Sequence, residues 1–434
     1  MLRLRFHGVL MAGIDLQTIR DAIAGNAAAF RVITELQPAG GDGDKIFPPT
    51  YEGSVYAVEP RIINGQEEQC VLLDSVQSQA NRLESALLEG HRSGDLKFPL
   101  VEVDFAGTEA AEVGKVSSLE APHRVFDALF LACEVEREEN GQRSRKPFRP
   151  GKPGIDSSEH GKRLEKTSVA NATALFELCP TALVFGAWDS HGARGGLGEK
   201  FQRALVSEVI GIGFAAGKRP ASRLDSVIRT TKDLPVTKNE DGSWKLADEG
   251  ATGTLKLSEV GLGNVTPSLV NQKTKALNHG GVTVRSARQI TVLSLPALRR
   301  LRFPIAEGAM PDAEKQGDEA AKRQAKHERD LAAQTVLAVL GLTAIAWQWK
   351  VGFSLRSRCD LFAEREELTI EQVGGGKKDP FTLSYKSAQR LLDEATKGLK
   401  ARGLSWDSTP ITLIPTEELA KVVRRSRELA AKGN

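Results

Sequence analysis

The chain has 434 residues, enough for two or three average domains or one elaborated one, and enough to bury a substantial core. With 40% hydrophobic and 26% charged residues it has the balance of an ordinary globular protein, and 59 basic against 56 acidic residues leave a formal charge of only +3. That near-neutrality argues against a tail that binds by charge alone, though a basic groove can sit inside a balanced total. Four scattered cysteines (Cys70, Cys133, Cys179 and Cys359) have neither metal-ligand spacing nor a disulfide framework, which suits a reducing cytoplasm.

Residues 1–11 carry positive charge but no adequate apolar run or cleavage site, so they make a poor signal peptide, and Met11 is a candidate start. No stretch approaches the ~20 consecutive apolar residues of a membrane span. Residues 14–24 read as a short helix and 30–36 as a strand. A glycine loop over 39–45, a Pro48-Pro49 break and a β-like run over 55–63 follow. The next helix starts at Asp74, a plausible N-cap closed by Gln77, and puts Val76, Ala80, Leu83 and Leu87 on one apolar stripe. Its polar side carries Gln77, Ser78, Gln79, Asn81 and Arg82 in place of the usual Lys and Glu. Short amides beside a guanidinium suit hydrogen bonding to a partner: nucleic acid, a second subunit, or a buried loop.

Residues 100–105 alternate as a strand, and Ser117 to Glu120 form a capping box before a helix bearing His123, Arg124 and Asp127. The span 140–166 is rich in Pro, Gly and cations and reads as a mobile basic insertion. Residues 181–185 read as a buried strand. A glycine-rich turn over 192–198 then feeds a predicted helix over 199–210, with Arg203 and Ser207 on one side and Glu208 poised to pair with Arg203 or Arg124. Residues 235–238 and 243–246 flank Asn239-Glu240-Asp241-Gly242 as a hairpin. Strand-like alternation returns over 283–295, a long helix runs from Asp318 to about Leu340, and 346–355 reads as strand. The tail reads as helix (387–401), strand (411–414) and helix (416–431). Interleaved strands and helices give an α+β or α/β sheet protein.

Five motifs occur in order: Pro48-Pro49-Thr50-Tyr51; Leu73-Asp74-Ser75 followed by Gln77-Ser78-Gln79-Ala80-Asn81-Arg82-Leu83-Glu84; Ala121-Pro122-His123-Arg124 with Asp127-Ala128; Phe185-Gly186-Ala187-Trp188-Asp189-Ser190 leading to Arg203-Ala204-Leu205-Val206-Ser207-Glu208; and Leu355-Arg356-Ser357-Arg358-Cys359. Together, from about residue 15 to past Leu361, they resemble the type I-G (formerly I-U) CRISPR-associated RAMP backbone family. The resemblance implies an α+β fold: an RRM/ferredoxin-like (RAMP) sheet with large insertions, as a single elaborated domain over 15–434. A thumb-like hairpin falls within 223–262. It implies a non-enzymatic subunit, without a cofactor, that polymerises along CRISPR RNA in a Cascade surveillance complex. Its partners would be the CRISPR RNA, further copies of itself, the crRNA-processing and end-capping subunit and the large subunit, with target DNA engaged through guide pairing. One departure is Leu129-Phe130-Leu131-Ala132-Cys133-Glu134, where the family carries a more polar run.

The residues themselves favour nucleic-acid binding over catalysis. Strand alternation would put Arg356 and Arg358 on one face, ~7 Å apart, spaced for adjacent phosphates on an extended RNA. Trp347 and Trp349 would share a face in the same way, as base-stacking or packing residues. Lys45, Gln79, Asn81, Arg82, His123, Arg124 and Arg203 complete the candidate RNA-binding set inside the motifs. The 192–200 turn fails the P-loop spacing, though a helix N-terminus after it could hold one phosphate. Histidines and cysteines form no metal-ligand pattern. Two competing readings stay open: a RAMP-type metal-dependent ribonuclease using Asp189 or Asp127, and a structural subunit that binds only protein partners.

Overall fold

The computed structural model describes residues 5–6, 9–139, 142–152, 154–190, 198–218, 221–223, 225–228, 234–248, 250–263, 265–268, 279–306, 308, 310–376 and 379–431. Asp15 caps α1 (Leu16–Ala24), accepting from the Thr18 N–H, and turns Ile19, Ala22 and Ile23 inward. Strand β1 (Ala29–Pro38) follows. A hairpin of β2 (Val58–Ile63) and β3 (Gln66–Asp74) reverses at Asn64-Gly65, both at positive φ as a tight hairpin turn requires. Next come α2 (Val76–Arg92), β4 (Val101–Asp104), the hairpin β5 (Cys133–Glu139) and β6 (Gln142–Pro147), and the short helices α3 (Glu159–Glu165), α4 (Thr173–Leu178) and α5 (Thr181–Phe185). The long strand β7 (Leu205–Lys218), the small hairpin β8 (Pro235–Lys238) and β9 (Trp244–Leu246), and β10 (His279–Ser294) lead to α6 (Glu319–Val351). The chain closes with β11 (Phe353–Arg356), β12 (Cys359–Ala363), β13 (Thr369–Val373), α7 (Tyr385–Thr396), β14 (Ile411–Pro415) and α8 (Glu417–Ala431).

The fold is mixed α+β with antiparallel sheets. In the main sheet the strands lie in the order β11-β12-β1-β10-β7-β3-β2, every neighbouring pair antiparallel. A second sheet runs β6-β5-β14-β4-(Lys115–Ser117), where β14 and β4 pair in parallel. Helices α1, α2 and α6 cover one face of the main sheet. Phe30 and Val32 of β1, Leu83 and Leu87 of α2, Ile19 and Ile23 of α1, and nearly all of α6 from Leu331 to Trp347 form the principal core. Charged up to Asp330 and mostly apolar beyond it, α6 is long and apolar enough to cross a membrane by length and composition, yet its apolar 18-residue stretch lies wholly buried inside the fold.

Several expectations are corrected here. Residues 181–185 form helix α5, not a strand, and end at Gly186 with φ 81°. Residues 205–218 form a strand, not a helix: Val206, Val209, Ile210 and Ile212 suit a pleated sheet, and β10 pairs along nearly the whole length. Short apolar runs carry too few turns for periodicity to separate the two states. Helix α6 continues past Leu340 to Val351 and stops at Gly352, φ 92°, so Ala346 to Val351 is not strand. Trp347 and Trp349 therefore diverge. Trp347 is buried edge-on to Tyr385, and Trp349 packs edge-on to Phe353, so both are packing residues. Ser117 and Glu120 do hydrogen-bond, but no α-helix begins there. Arg124–Phe126 is a single 3₁₀ turn.

Candidate nucleic-acid interface

Helix α2 is capped by Ser75, whose side chain accepts from the Ser78 N–H, and this frees Asp74 for a different task. Asp74 is fully buried. Its Oδ1 accepts from Ser78 Oγ (2.8 Å) and Arg356 Nη2 (2.9 Å), and its Oδ2 from Gln79 Nε2 (2.7 Å) and Arg82 Nε (2.9 Å). One carboxylate thus gathers α2 and the β11–β12 hairpin. Arg82 also donates to the Ser354 and Leu355 carbonyls, and Arg356 to those of Leu73 (2.6 Å) and Phe47 (3.4 Å).

Around this clamp sit freer cations. The β11–β12 turn is Ser357-Arg358, with Arg358 at φ 59°, so Arg356 and Arg358 do not share a strand face as sequence alternation suggested. Arg358 is exposed and lies over the Phe47 ring, 4.7 Å from its centroid, while the Phe47 N–H donates to the Arg358 carbonyl. Lys45, two residues before Phe47, is exposed, as is Asn81 on the outer side of α2. Neither Lys45 nor Arg358 has an ion-pair partner among the described residues. Lys45, Arg82, Arg356 and Arg358 set four cations about the buried carboxylate of Asp74, with Asp44 and the exposed Asp360 beside them in the chain. Two guanidiniums are held rigidly at the surface, and two cations project from loops. Such a patch fits a polyanion backbone, with salt-sensitive contacts.

Gln79 corrects the sequence reading. It is fully buried, and its Oε1 accepts from Gln289 Nε2 (2.8 Å), Ser207 Oγ (3.1 Å) and Gln348 Nε2 (3.1 Å). Its amide serves a closed polar network linking α2, β7, β10 and α6, and RNA cannot reach it. Arg124 is likewise interior at 7% exposure, bonded to both Glu84 oxygens (2.6 and 2.8 Å) and to the Gly186 carbonyl (2.6 Å). Burial pushes the Glu84 carboxyl above its usual range, against the pull of Arg124. His123 is exposed, next to Arg124 in the chain, and Arg203 is half-buried, its Cγ 2.9 Å from where a Gly186 Cβ would stand. Glu208 pairs with Arg61 (2.5 Å), not with Arg203 or Arg124, because a strand sends it to the sheet face away from the helices. That face also holds Arg31–Glu371 and Arg288–Glu35 pairs.

The two carboxylates considered for catalysis are structurally engaged. Asp189 accepts from the buried Arg149 (2.8 Å), and Asp127 caps a short helix through the Leu129 N–H (3.0 Å) and takes the His123 N–H (3.1 Å). Arg149 lies inside the span read as a mobile basic insertion, where residues 142–147 and 159–165 are in regular structure. Among the described residues no three His, Cys, Asp or Glu side chains cluster as a metal site requires. Residues 192–197 of the glycine turn lie outside the described residues, and Lys200–Phe201 beyond it is a strand, so the helix needed for a phosphate site there is absent. Of the 223–262 span, β8 and β9 pair Lys238 with Trp244 and Val236 with Leu246, while residues 224, 229–233 and 249 lie outside the described set.

Sequence reasoning missed Asp74 as the organising anion and Phe47 as the platform for Arg358. Residue order points to Asp74 as a helix cap, and only long-range contact reveals the other role. Comparison with known proteins adds a family-model match over part of the chain. Residues 30–216 match the model described as CRISPR-associated protein GSU0053. No curated protein sequence matches the chain. Among solved structures, the crystal structure of Thermofilum pendens Csc2 aligns over 93% of this chain and 83% of that one, at 13% identity and a TM-score of 0.26, an overlap too loose to bear on fold or function.

Proposed function

We propose, from the match of residues 30–216 to the model of CRISPR-associated protein GSU0053, that this chain is a cytoplasmic, non-enzymatic crRNA-binding backbone subunit of a type I-G Cascade complex. Copies stack head to tail along the spacer portion of the guide, a heterologous contact repeated by a screw operation whose growth ends with the RNA. The observation that carries the RNA reading is the cluster of Lys45, Arg82, Arg356 and Arg358 around Asp74 and Phe47. Its donors suit phosphates and read no base edges, so binding is sequence-tolerant and specificity is left to guide pairing with target DNA. The crRNA-processing and end-capping subunit and the large subunit complete the partners.

The finer fold assignment rests on topology. The succession β1, α2, β7, β10, α6, β12 is a β-α-β-β-α-β chain with spatial order β12-β1-β10-β7, the arrangement of a ferredoxin-like RRM core. The β2–β3 hairpin is then an insertion that extends the β7 edge. The β8–β9 hairpin, with Trp244 and Leu246 exposed, is the candidate thumb. No catalytic step is assigned, since Asp189 and Asp127 are spent on Arg149 and a helix cap.

The test is to express the chain with and without a CRISPR array, and with the remaining Cascade subunits. The readouts are the 260/280 absorbance ratio, particle mass and bound RNA sequence. A multi-copy particle enriched in spacer RNA, lost in Lys45→Glu/Arg358→Glu, is expected. A nucleic-acid-free monomer in all three preparations overturns the reading.

A further inference from the structure

A second surface, distant from the Asp74 cluster, has the chemistry of a nucleotide site. A cleft of about 1100 Å³ opens beside α3, α4 and the segment after α7, with Arg163, Lys166, Glu177, Lys400, Trp406 and Asp407 among its walls. The segments meet because Arg302 and Ala172 join backbones, Arg329 of α6 donates to the Arg402 carbonyl, and the Ser405 N–H donates to Glu177 Oε1. Its volume lies at the upper end of ligand pockets, room for part of a chain as much as for a single small molecule.

The charges at the cleft are unequal in what they offer. Glu177 is occupied by Arg163 and the Ser405 N–H, and Asp407 accepts from the Thr409 N–H (2.9 Å), which draws its carboxyl below the usual range. The ammoniums of Lys166 and Lys400 are exposed and have no ion-pair partner among the described residues. A ligand entering the cleft therefore meets two uncommitted ammoniums, a Glu177 already paired with Arg163, and the ionised, exposed carboxylate of Asp407. Trp406 adds a half-buried aromatic wall. Phe176 packs against it, ring centroids 5.2 Å apart, and its indole N–H is spent on the Lys97 carbonyl at 3.0 Å. What Trp406 has left to give is π surface. An aromatic wall lining the same cleft as two free ammoniums matches a base carried on a phosphate backbone.

We infer that this cleft binds a nucleotide segment of single-stranded nucleic acid, a contact separate from the Asp74 cluster. The inference rests on the proposed function for the presence of such a strand. Arg329, beside Arg402 and the cleft, lies near the start of the buried part of α6, and β11 follows the end of that helix. At 1.5 Å per residue the two places are roughly 30 Å apart along it.

The full-length chain is titrated with a short fluorescein-labelled oligoribonucleotide and with the matching oligodeoxyribonucleotide, over a series of salt concentrations. Lys166→Glu/Lys400→Glu changes only exposed positions and should melt like the wild type. It should flatten the log–log salt dependence by about 1.4, the value for two phosphates on a single strand. Trp406→Leu should weaken binding by about 5- to 160-fold, as loss of one stacked base does, and a 4-thiouridine oligonucleotide should crosslink to the peptide bearing Trp406. Preference for the ribo- or deoxyribonucleotide arm identifies the strand, guide or DNA. Unchanged affinity and salt slope in the lysine variant, or capture of an acidic tryptophan-bearing peptide with oligonucleotides excluded, overturns the inference. Lys45→Glu/Arg358→Glu is measured in parallel. A guide-loaded particle together with unaltered cleft variants sinks the cleft alone. Cleft variants that lose oligonucleotide binding, with no guide particle ever formed, sink the backbone reading alone.

Discussion

Asp74→Asn tests whether one buried carboxylate assembles the candidate interface. The change keeps shape but replaces one oxygen by an NH₂ group. Oδ1 serves Ser78 and Arg356, and Oδ2 serves Gln79 and Arg82, so either amide orientation aims donors at a guanidinium. Breaking a buried ion pair costs ~3–5 kcal/mol. Here the arginine side chains are 30% and 26% exposed and keep carbonyl acceptors, which discounts the figure for solvent screening to roughly 3 kcal/mol. At about 2.1 cal/mol/K per residue, unfolding 434 residues carries roughly 0.9 kcal/mol/K, so Tm should fall by about 3 °C. Scanning calorimetry at matched pH and protein concentration reads it, with Arg358→Ala as the control. Arg358 is exposed and its side chain makes only a ring contact, so the side chain's loss should leave Tm in place while weakening RNA retention. A melt of Asp74→Asn within about 1 °C of wild type, or an equal fall in the control, refutes the account.

Arg124→Ala leaves Glu84 buried without its cation, a loss of about 3–5 kcal/mol in thermal or urea unfolding. Burial already holds the Glu84 carboxyl above its usual range, so the stability tied to its protonated form is complete below the unfolded glutamate pKa of ~4.3 and fades as pH rises through the folded value. The variant should accordingly lose less against wild type near pH 5 than at pH 7, and Glu84→Gln in the same chain should erase that difference. Asp189→Asn strands the buried Arg149 and should lower Tm without altering any nuclease activity of the preparation. Metal-dependent RNA cleavage by the wild type, abolished in a variant of unchanged Tm, would instead make Asp189 catalytic. Burial pushes the Cys359 thiol up to about 11 and Cys133 up to about 12, so neither should be alkylated by iodoacetamide at pH 8 in the native state. Rapid labelling of either in the folded protein would show the burial to be wrong.

Much of the local structure was legible in residue order because local rules suffice for it. The alternation at Val101–Asp104, the Asn239 to Gly242 turn and the amphipathic spacing of α2 and α7 each depend on neighbours a few residues apart. The ordered motifs were legible as well, and residues 30–216 carry the family match. The failures came where short apolar runs fit both periods. Val206 to Ile212 reads as a helix face until β10 and β3 are present to pair with it, and Ala346 to Val351 reads as strand until the core surrounds it.

The sequence by itself determined the chemical stock: amides and arginines on α2, two arginines two residues apart near Leu355, a glycine loop bearing Lys45. Only the tertiary structure decided which of these face solvent. Gln79 and Asn81 stand two residues apart on one helix, about 200° around its axis, and that angle alone sends one into the network of Ser207, Gln289 and Gln348 and the other to water. Arg124 and Arg358 are equally basic as letters, yet a buried glutamate 40 positions away claims the first, and a tight turn over Phe47 leaves the second outside. Charge and hydrogen-bonding capacity belong to a residue alone, whereas burial and partnership are properties of contacts between segments that chain order does not encode locally.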